Sequence, residues 1–234
     1  MKYGYAGHIT DFINITKKQW HITMEENYIA MVGEAPSKEQ IYAWDDSYDK
    51  SMPFFKACSK YNCDIIFEYL MPREGGRRPD VLLLSGNCLF VLEYKMKERF
   101  TQADLDQVSA YARDLKHYHS TSHDLEVTPI LVPTKANGKC RIYNDIYACT
   151  PDKLEELILP SLSYSREIDL EQWLAGEYVP LPSLVSAAQT IYNNEDLPYI
   201  RKANSAGIPE AVDTLINITK HAKENGKRVL ALVT

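Results

Sequence analysis

The chain has 234 residues, 45% of them hydrophobic and 25% charged, with a formal net charge of −6. That is long enough for one sizeable core with a small appendage, and too acidic for a protein held on nucleic acid by bulk charge alone. No apolar run reaches the ~18 residues of a membrane span, and the Met1-Lys2-Tyr3-Gly4 start lacks the apolar core of a signal peptide, so a cytoplasmic protein with no membrane partner is expected.

Residues 1–35 mix Tyr, Ile and Phe with polar residues and read as a packing extension. Ile9, Phe12 and Ile13 suggest a short helix, Trp20 to Met24 a strand or turn, and Tyr3, Tyr5 and His8 a surface patch. Ser37, followed three residues later by Gln40, is a capping-box start. Ile41, Trp44, Tyr48 and Met52 then keep helical spacing, which places Trp44 in the core. Pro53 is expected to interrupt this helix, with Phe54 to Cys58 beginning a second piece. Cys63 to Pro72 reads as a strand, and Glu74-Gly75-Gly76 turns it toward a second strand, Arg77 to Leu84. That hairpin brings Glu68 close to Asp80. A carboxylate inside an apolar strand is costly unless it is paired or bound to a cation. Glu68 is therefore a candidate third acid, with an ion pair to Arg77 or Arg78 as the alternative.

The Arg77–Leu84 strand continues through a Ser85-Gly86-Asn87 break into Cys88 to Lys95, a strand pair joined by a tight turn. Asp80 opens the first strand, and Glu93 and Lys95 close the second. Alternate strand residues share a face, so Glu93 and Lys95 point one way and Tyr94 the other. Two carboxylates and an ammonium at one end of an apolar hairpin make a poor core and a good divalent-cation site. Mg²⁺ takes hard oxygen ligands, commonly one or two carboxylates with water and substrate phosphate. Such an ion lowers the pKa of an attacking water and neutralises charge on phosphoryl oxygens, which points to phosphodiester hydrolysis.

Thr101 to His119 reads as a helix with an apolar stripe of Leu105, Val108, Ala112 and Leu115, and with Gln107, Tyr111 and Asp114 beside it. Gln107 and Tyr111 stand at i, i+4, on one face. His117, His119 and His123 are too weakly patterned for a zinc site and are expected in a mobile basic loop near the DNA entrance. Val127 to Pro133 is a short buried strand, Cys140 to Tyr147 another, and Asp152 to Leu159 a helix, an alternation that completes an α/β core. Between residues 73 and 99 six basic residues face four acidic ones, and Arg113, Lys116, Lys135, Lys139 and Arg141 extend the basic supply. A basic rim on an acidic body suits a transient enzyme–DNA contact.

Pro79-Asp80, Glu93-Tyr94-Lys95 and Gln107-x-x-x-Tyr111 together resemble the PD-(D/E)XK nucleases, in the Gln-x-x-x-Tyr branch of RecB-type and CRISPR-associated enzymes. The resemblance spans about residues 37–149. It implies a restriction-endonuclease-like core, a central mixed β-sheet flanked by helices over residues 36–159, and DNA as the partner. It implies Mg²⁺ or Mn²⁺ held by Asp80, Glu93, the backbone carbonyl of Tyr94 and Glu68, with Lys95 as the catalytic lysine. In this family a preceding helix often adds another acid, for which Glu39 is the candidate. Gln107, Tyr111, Arg77, Arg78 and Lys97 are the candidate substrate contacts. Some members carry an iron–sulfur cluster on four cysteines. None is expected here, because Cys140 and Cys149 are far apart in sequence with no third partner downstream, and Cys58, Cys63, Cys88, Cys140 and Cys149 read as buried free thiols.

Residues 160–225 read as a helical connector: a turn of helix at Leu170 to Trp173, an extended Glu177 to Pro182, a helix from Ser183 to Tyr192 and another from Pro209 to about Asn225. The last segment, residues 226–234, is an apolar strand ending in Val233-Thr234. It resembles the first strand of a P-loop ATPase, as in bacterial nuclease–helicase fusions, and implies a following helicase-like domain as partner. The chain contains no Gly-x-x-x-x-Gly-Lys-Ser/Thr sequence, so no ATP site is expected in it. The competing reading is a catalytically silent DNA-binding or docking module of the same fold. Homo-oligomerisation is left open by the sequence.

Overall fold

A computed structural model describes residues 2–72, 74–165, 168–180, 192 and 208–226. The chain divides into two units, residues 1–180 and 181–234. The first is an α/β unit built on a seven-stranded mixed sheet of order β1-β2-β3-β4-β5-β7-β6. Its strands are β1 (Tyr5–His8), β2 (Asp64–Phe67), β3 (Val81–Ser85), β4 (Cys88–Lys95), β5 (Glu126–Pro133), β6 (Cys140–Tyr143) and β7 (Ile146–Cys149). The first four pair antiparallel, β5 lies parallel to β4 and to β7, and β6 folds back antiparallel on β7.

Helices cover both faces, so the central strands are buried on both sides and read as continuous apolar runs. On one face Phe67, Val81, Leu83, Phe90, Leu92 and Tyr94 pack with α1 (Ile9–Asn14), α2 (Lys17–Val32) and α3 (Lys38–Cys58). On the other, Ile66, Leu82, Leu84, Leu89, Val91 and Leu131 meet α4 (Gln102–Tyr118) and Trp173 of α6 (Leu170–Leu174). The expected α4 stripe of Leu105, Val108, Ala112 and Leu115 is buried in this second layer. Capping starts the helix: Thr101 accepts from the Asp104 N–H, and Asp104 accepts from the Thr101 N–H.

Several expectations change. The segment around Trp20 and Met24 is part of the 16-residue α2, started by a capping box between Thr16 and Gln19, with both apolar residues on its buried side. Pro53 does not interrupt α3, which runs unbroken through it. A proline inside a helix costs about 3 kcal/mol, but Phe54 and Phe55 beyond it are fully buried, and each such burial contributes about 1.5–3 kcal/mol. Residues 5–8 are no surface patch: they form the edge strand β1, with Leu70 N–H bonding back to Lys2 O. Cys140 to Tyr147 is two strands, broken where Asn144 and Asp145 take φ of 47° and 67°, the left-handed pair of a two-residue hairpin turn. That hairpin sets Cys140 directly opposite Cys149. Cys58, Cys63 and Cys149 are buried, whereas Cys88 is half-buried and Cys140 exposed, against the expectation of five buried thiols.

The helix expected over Asp152 to Leu159 narrows to α5 (Leu154–Ile158) behind a short 3₁₀ turn. In the second unit, α7 (Ile208–Glu224) matches the helix expected from Pro209. The expected helix at Ser183 to Tyr192, apart from Tyr192, and the strand over residues 227–234 lie outside the described residues. Among those described, no helix is long and apolar enough to cross a membrane.

The histidine-bearing segment after α4 is not a mobile basic loop. His119 is fully buried, stacked on the Trp173 indole at 4.1 Å with the planes 13° apart. Its Nδ1 lies 3.0 Å from Thr121 Oγ1, and its Nε2 finds no hydrogen-bond partner. Burial, aided by Lys2 and His123, drops its pKa from 6.5 to about 4. A depressed base stabilises the fold above the unfolded value, and that contribution is lost as pH falls from 6.5 toward 4. The drop corresponds to about 3 kcal/mol. His119→Phe, which keeps a ring on Trp173, is expected to flatten the loss of urea-unfolding stability between pH 6.5 and 4 relative to the native chain; equal slopes would remove His119 as the cause.

Candidate active site

The β3–β4 register sets the site. Val81 pairs with Leu92, so one step further Asp80 stands opposite Glu93. Phe67 pairs with Val81, and one step further Glu68 stands opposite Asp80, with Glu68 N–H bonding to Asp80 O at 3.0 Å. Three carboxylates therefore form one transverse row across the ends of β2, β3 and β4. The strand alternation holds as the sequence predicts: Tyr94 turns to the α3 side, where Ser51 Oγ donates to its hydroxyl at 2.7 Å, and Glu93 and Lys95 turn to the α4 side.

Asp80 Oδ2 accepts the Tyr94 N–H at 2.7 Å. Lys95 Nζ donates to Glu93 Oε1 at 2.8 Å and to Gln107 Oε1 at 2.9 Å. Gln107 Nε2 donates in turn to the Tyr111 hydroxyl at 3.0 Å, so the i, i+4 pair on α4 closes over the strand end. Asp80, Glu93, Lys95, Gln107 and Tyr111 thus belong to one cluster. The Tyr94 carbonyl lies on the same strand end, between the two β4 side chains.

The cluster carries unrelieved negative charge. Burial, then the Glu93 and Glu68 carboxylates, push the Asp80 carboxyl well above the usual carboxylate range. Burial also raises Glu93, although Lys95 works against the shift. Burial disfavours the Lys95 ammonium, but Glu93 and Asp80 outweigh it and hold its pKa above the ordinary lysine value. Lys95 is therefore a cation and hydrogen-bond donor at neutral pH, not a base. Glu93 Oε2 is buried with no hydrogen-bond partner, an omission that costs about 1–3 kcal/mol for a neutral group and more for a charge. An orphaned carboxylate oxygen next to a second carboxylate is the donor set a hard divalent cation needs. Among the described residues no group of three or more His, Cys, Asp or Glu side chains is placed to hold a metal ion, so an ion here would have to rest on two carboxylates, backbone oxygen and water.

Glu68 behaves differently from the other two acids. An unbroken strand would send it to the α4 side with Ile66, but its φ of 52° breaks the alternation. Its Oε1 accepts from Gln40 at 3.1 Å and from Trp44 Nε1 at 3.0 Å, and its Oε2 accepts from Arg78 at 2.8 Å. The ion pair weighed as its alternative role is present, with Arg78. Glu39 does not join the cluster: it is exposed in the first turn of α3, and its neighbour Gln40 is the residue that reaches in. Gln40 and Trp44 were missed as site residues; their i, i+4 spacing on one helix face was the available signal.

The basic residues nominated for substrate, Arg77, Arg78 and Lys97, are all already paired with acids, as are Lys135 and Arg113 of the wider basic supply. Arg77 pairs with Asp114 at 2.8 Å and Glu74 at 3.1 Å while lying 5.0 Å over the Tyr111 ring. Lys97 pairs with Asp104 at 3.1 Å, Lys135 with Asp46 at 3.0 Å and Arg113 with Asp114 at 2.8 Å. Asp114 stands at i+3 from Tyr111 on the same helix face, so one helix both closes the site and holds Arg77 in place.

With this geometry in view, the chain was compared with family models, curated proteins and solved structures, and none of the three gives a match. The functional reading stands on the site itself.

The charge cluster makes a stability prediction. A carboxyl whose folded pKa is raised destabilises the fold as pH rises through the carboxylate range, because the native state resists ionisation. Asp80→Asn keeps an acceptor for the Tyr94 N–H and removes the charge. It is expected to raise the melting temperature at pH 7 by roughly 2–4 °C, a gain that vanishes toward pH 4 as the native carboxyl protonates. Mn²⁺ should raise the native melting temperature and leave the variant nearly unmoved; a variant less stable than native at pH 7 would contradict the strained-acid account.

Proposed function

We propose that this chain is a metal-dependent nuclease module that hydrolyses DNA phosphodiester bonds, with Asp80, Glu93 and Lys95 as its centre and Mg²⁺ or Mn²⁺ as its cofactor. The observation that supports it best is the orphaned Glu93 Oε2 beside a carboxyl, Asp80, that burial and like charge hold above its normal range. Active sites are where such unrelieved charge concentrates. A divalent ion supplies positive charge against the phosphoryl oxygens as they gain charge in the transition state.

Each residue has a part that follows from its contacts. Asp80 and Glu93 hold the ion, and the Tyr94 N–H fixes the orientation of the Asp80 carboxylate. Lys95, kept protonated by its carboxylate neighbours, donates to the scissile phosphate or to the attacking water. Gln107 positions the Lys95 ammonium, and Tyr111 positions Gln107. Glu68 anchors Arg78 at the end of the acid row. A following ATPase domain, implied by the sequence of the last residues, is the proposed parent context, and processing, repair or defence against foreign DNA the proposed setting.

The second reading, a silent docking module, draws on one observation: Lys95 and Arg78 already place cations against Glu93 and Glu68. Incubation with linear and circular DNA separates the two. Cleavage is expected with Mg²⁺ or Mn²⁺, none in EDTA, and a loss of at least about 100-fold in Asp80→Ala and Lys95→Ala, the scale at which removing one transition-state contact acts. Gln107→Ala is expected to lose less, by lowering turnover with little change in KM. DNA bound but uncut by the native chain under every metal condition would leave the docking reading.

A further inference from the structure

The cations beside the acid row are paired, and some of those further along the sheet are not. Among the described residues, Arg99, Lys139 and Arg141 form no ion pair, although Arg77, Arg78, Lys95, Lys97, Arg113 and Lys135 all do. These three gather around one pocket of about 340 Å³ between the loop after β4 and the β6–β7 hairpin, with Glu98 as the only acid in its lining. Two aromatic rings stand with them, Phe100 and Tyr143, in edge-to-face contact at 5.5 Å between centroids. Tyr143 is 37% exposed.

The sheet register ties this pocket to the candidate active site. Glu93 pairs with Leu131, Leu131 with Ala148, and Ala148 with Arg141. In-register neighbours share a face, so Arg141 lies on the same side of the sheet as Glu93, in the same transverse row. Three strand spacings separate them, roughly 14 Å. Pro133, opposite Lys95 in the parallel pair, lines the near wall.

We propose that this pocket is a nucleotide subsite that takes one unstacked base of a single DNA strand, with the base on Tyr143 and Phe100 and its phosphates on Arg99, Lys139 and Arg141. The inference rests on the nuclease reading, since it supplies that site with the path of its substrate. Aromatic faces with unpaired cations bind single strands because each base offers a ring face and each link a charge. A duplex keeps its bases stacked and paired inside, where the rings cannot reach them. The arginine and lysine side chains give the pocket its attraction for phosphate even though the whole chain is acidic.

The test is fluorescence anisotropy in EDTA, where no cleavage occurs, with a labelled oligothymidylate of about ten nucleotides. Native protein is expected to bind the single strand more tightly than a blunt duplex of equal length. Tyr143→Ala and Arg141→Glu are each expected to weaken binding about tenfold, and Tyr143→Phe to retain it. Both positions are exposed, and unchanged melting temperatures verify that the variants fold. Affinity within about twofold of native in both variants, preference for the duplex, or no measurable binding by the native protein overturns the proposal. Cleavage of DNA by the native chain together with unaffected pocket variants would remove the subsite and leave the nuclease. Oligonucleotide binding that depends on Tyr143 and Arg141 in a chain that never cleaves would leave the subsite and remove the nuclease.

Discussion

The register between β3 and β4 is the constraint on which the rest depends. Both strands are buried on both faces, so apolar patterning alone would tolerate a slip. The turn decides it. Ser85 pairs with Cys88 across the two residues Gly86 and Asn87, and Gly86 takes a φ of 53° that suits the first position of a tight hairpin loop. A side chain there would meet Ser163 Cβ at 2.8 Å, while Ser85 Oγ donates to Asn62 O at 2.8 Å and accepts from the Ser163 N–H at 3.0 Å. The turn is held from outside, and Asp80 and Glu93 meet at the far end of the ladder it starts.

That placement concentrates charge where the fold can least accommodate it. Two carboxyls are raised, Asp80 by burial and by Glu93 and Glu68, Glu93 by burial and by Glu68, and one oxygen lacks any partner. The molecule spends its nearby arginines and lysines elsewhere: Asp114 and Glu74 share Arg77, Asp114 also takes Arg113, Asp104 takes Lys97 and Asp46 takes Lys135. Lys95 alone answers Glu93, with Gln107 sharing its ammonium. The outcome is a buried acidic notch with one unpartnered carboxylate oxygen, and a separate pocket where Arg99, Lys139 and Arg141 form no ion pair.

The sequence was readable where local pattern and tertiary partner agree. Cys88 to Lys95 follows the expected strand bounds, α4 falls within one residue of them, and the opposed directions of Tyr94 and the Glu93–Lys95 pair follow from alternation alone. It was unreadable where the partner is remote. Residues 5–8 are polar and short, and become a strand only because residues 64–67 offer an edge. Pro53 argues locally for a break that Phe54 and Phe55 override by burial. Glu68 was correctly placed beside Asp80, yet its left-handed backbone, which turns the side chain toward Gln40 and Trp44, has no sequence signature in a glutamate. His119 looked like a surface histidine because nothing in its neighbourhood announces Trp173, 54 positions later. The Asn144-Asp145 turn, by contrast, was present to be read: both residue types tolerate the left-handed region.

The edge strand at the start of the chain has a consequence for synthesis. Residues 5–8 leave the ribosome about 60 residues before the strand that receives them, a delay of roughly 3–12 s at ordinary elongation rates. During that wait the Tyr5–His8 backbone has no ladder to join, and Lys2 cannot yet accept the Leu70 N–H. The acid row is completed later still: Glu68 gains Arg78 ten residues on, and the notch closes only when Glu93 and the helix carrying Gln107 and Tyr111 have been made.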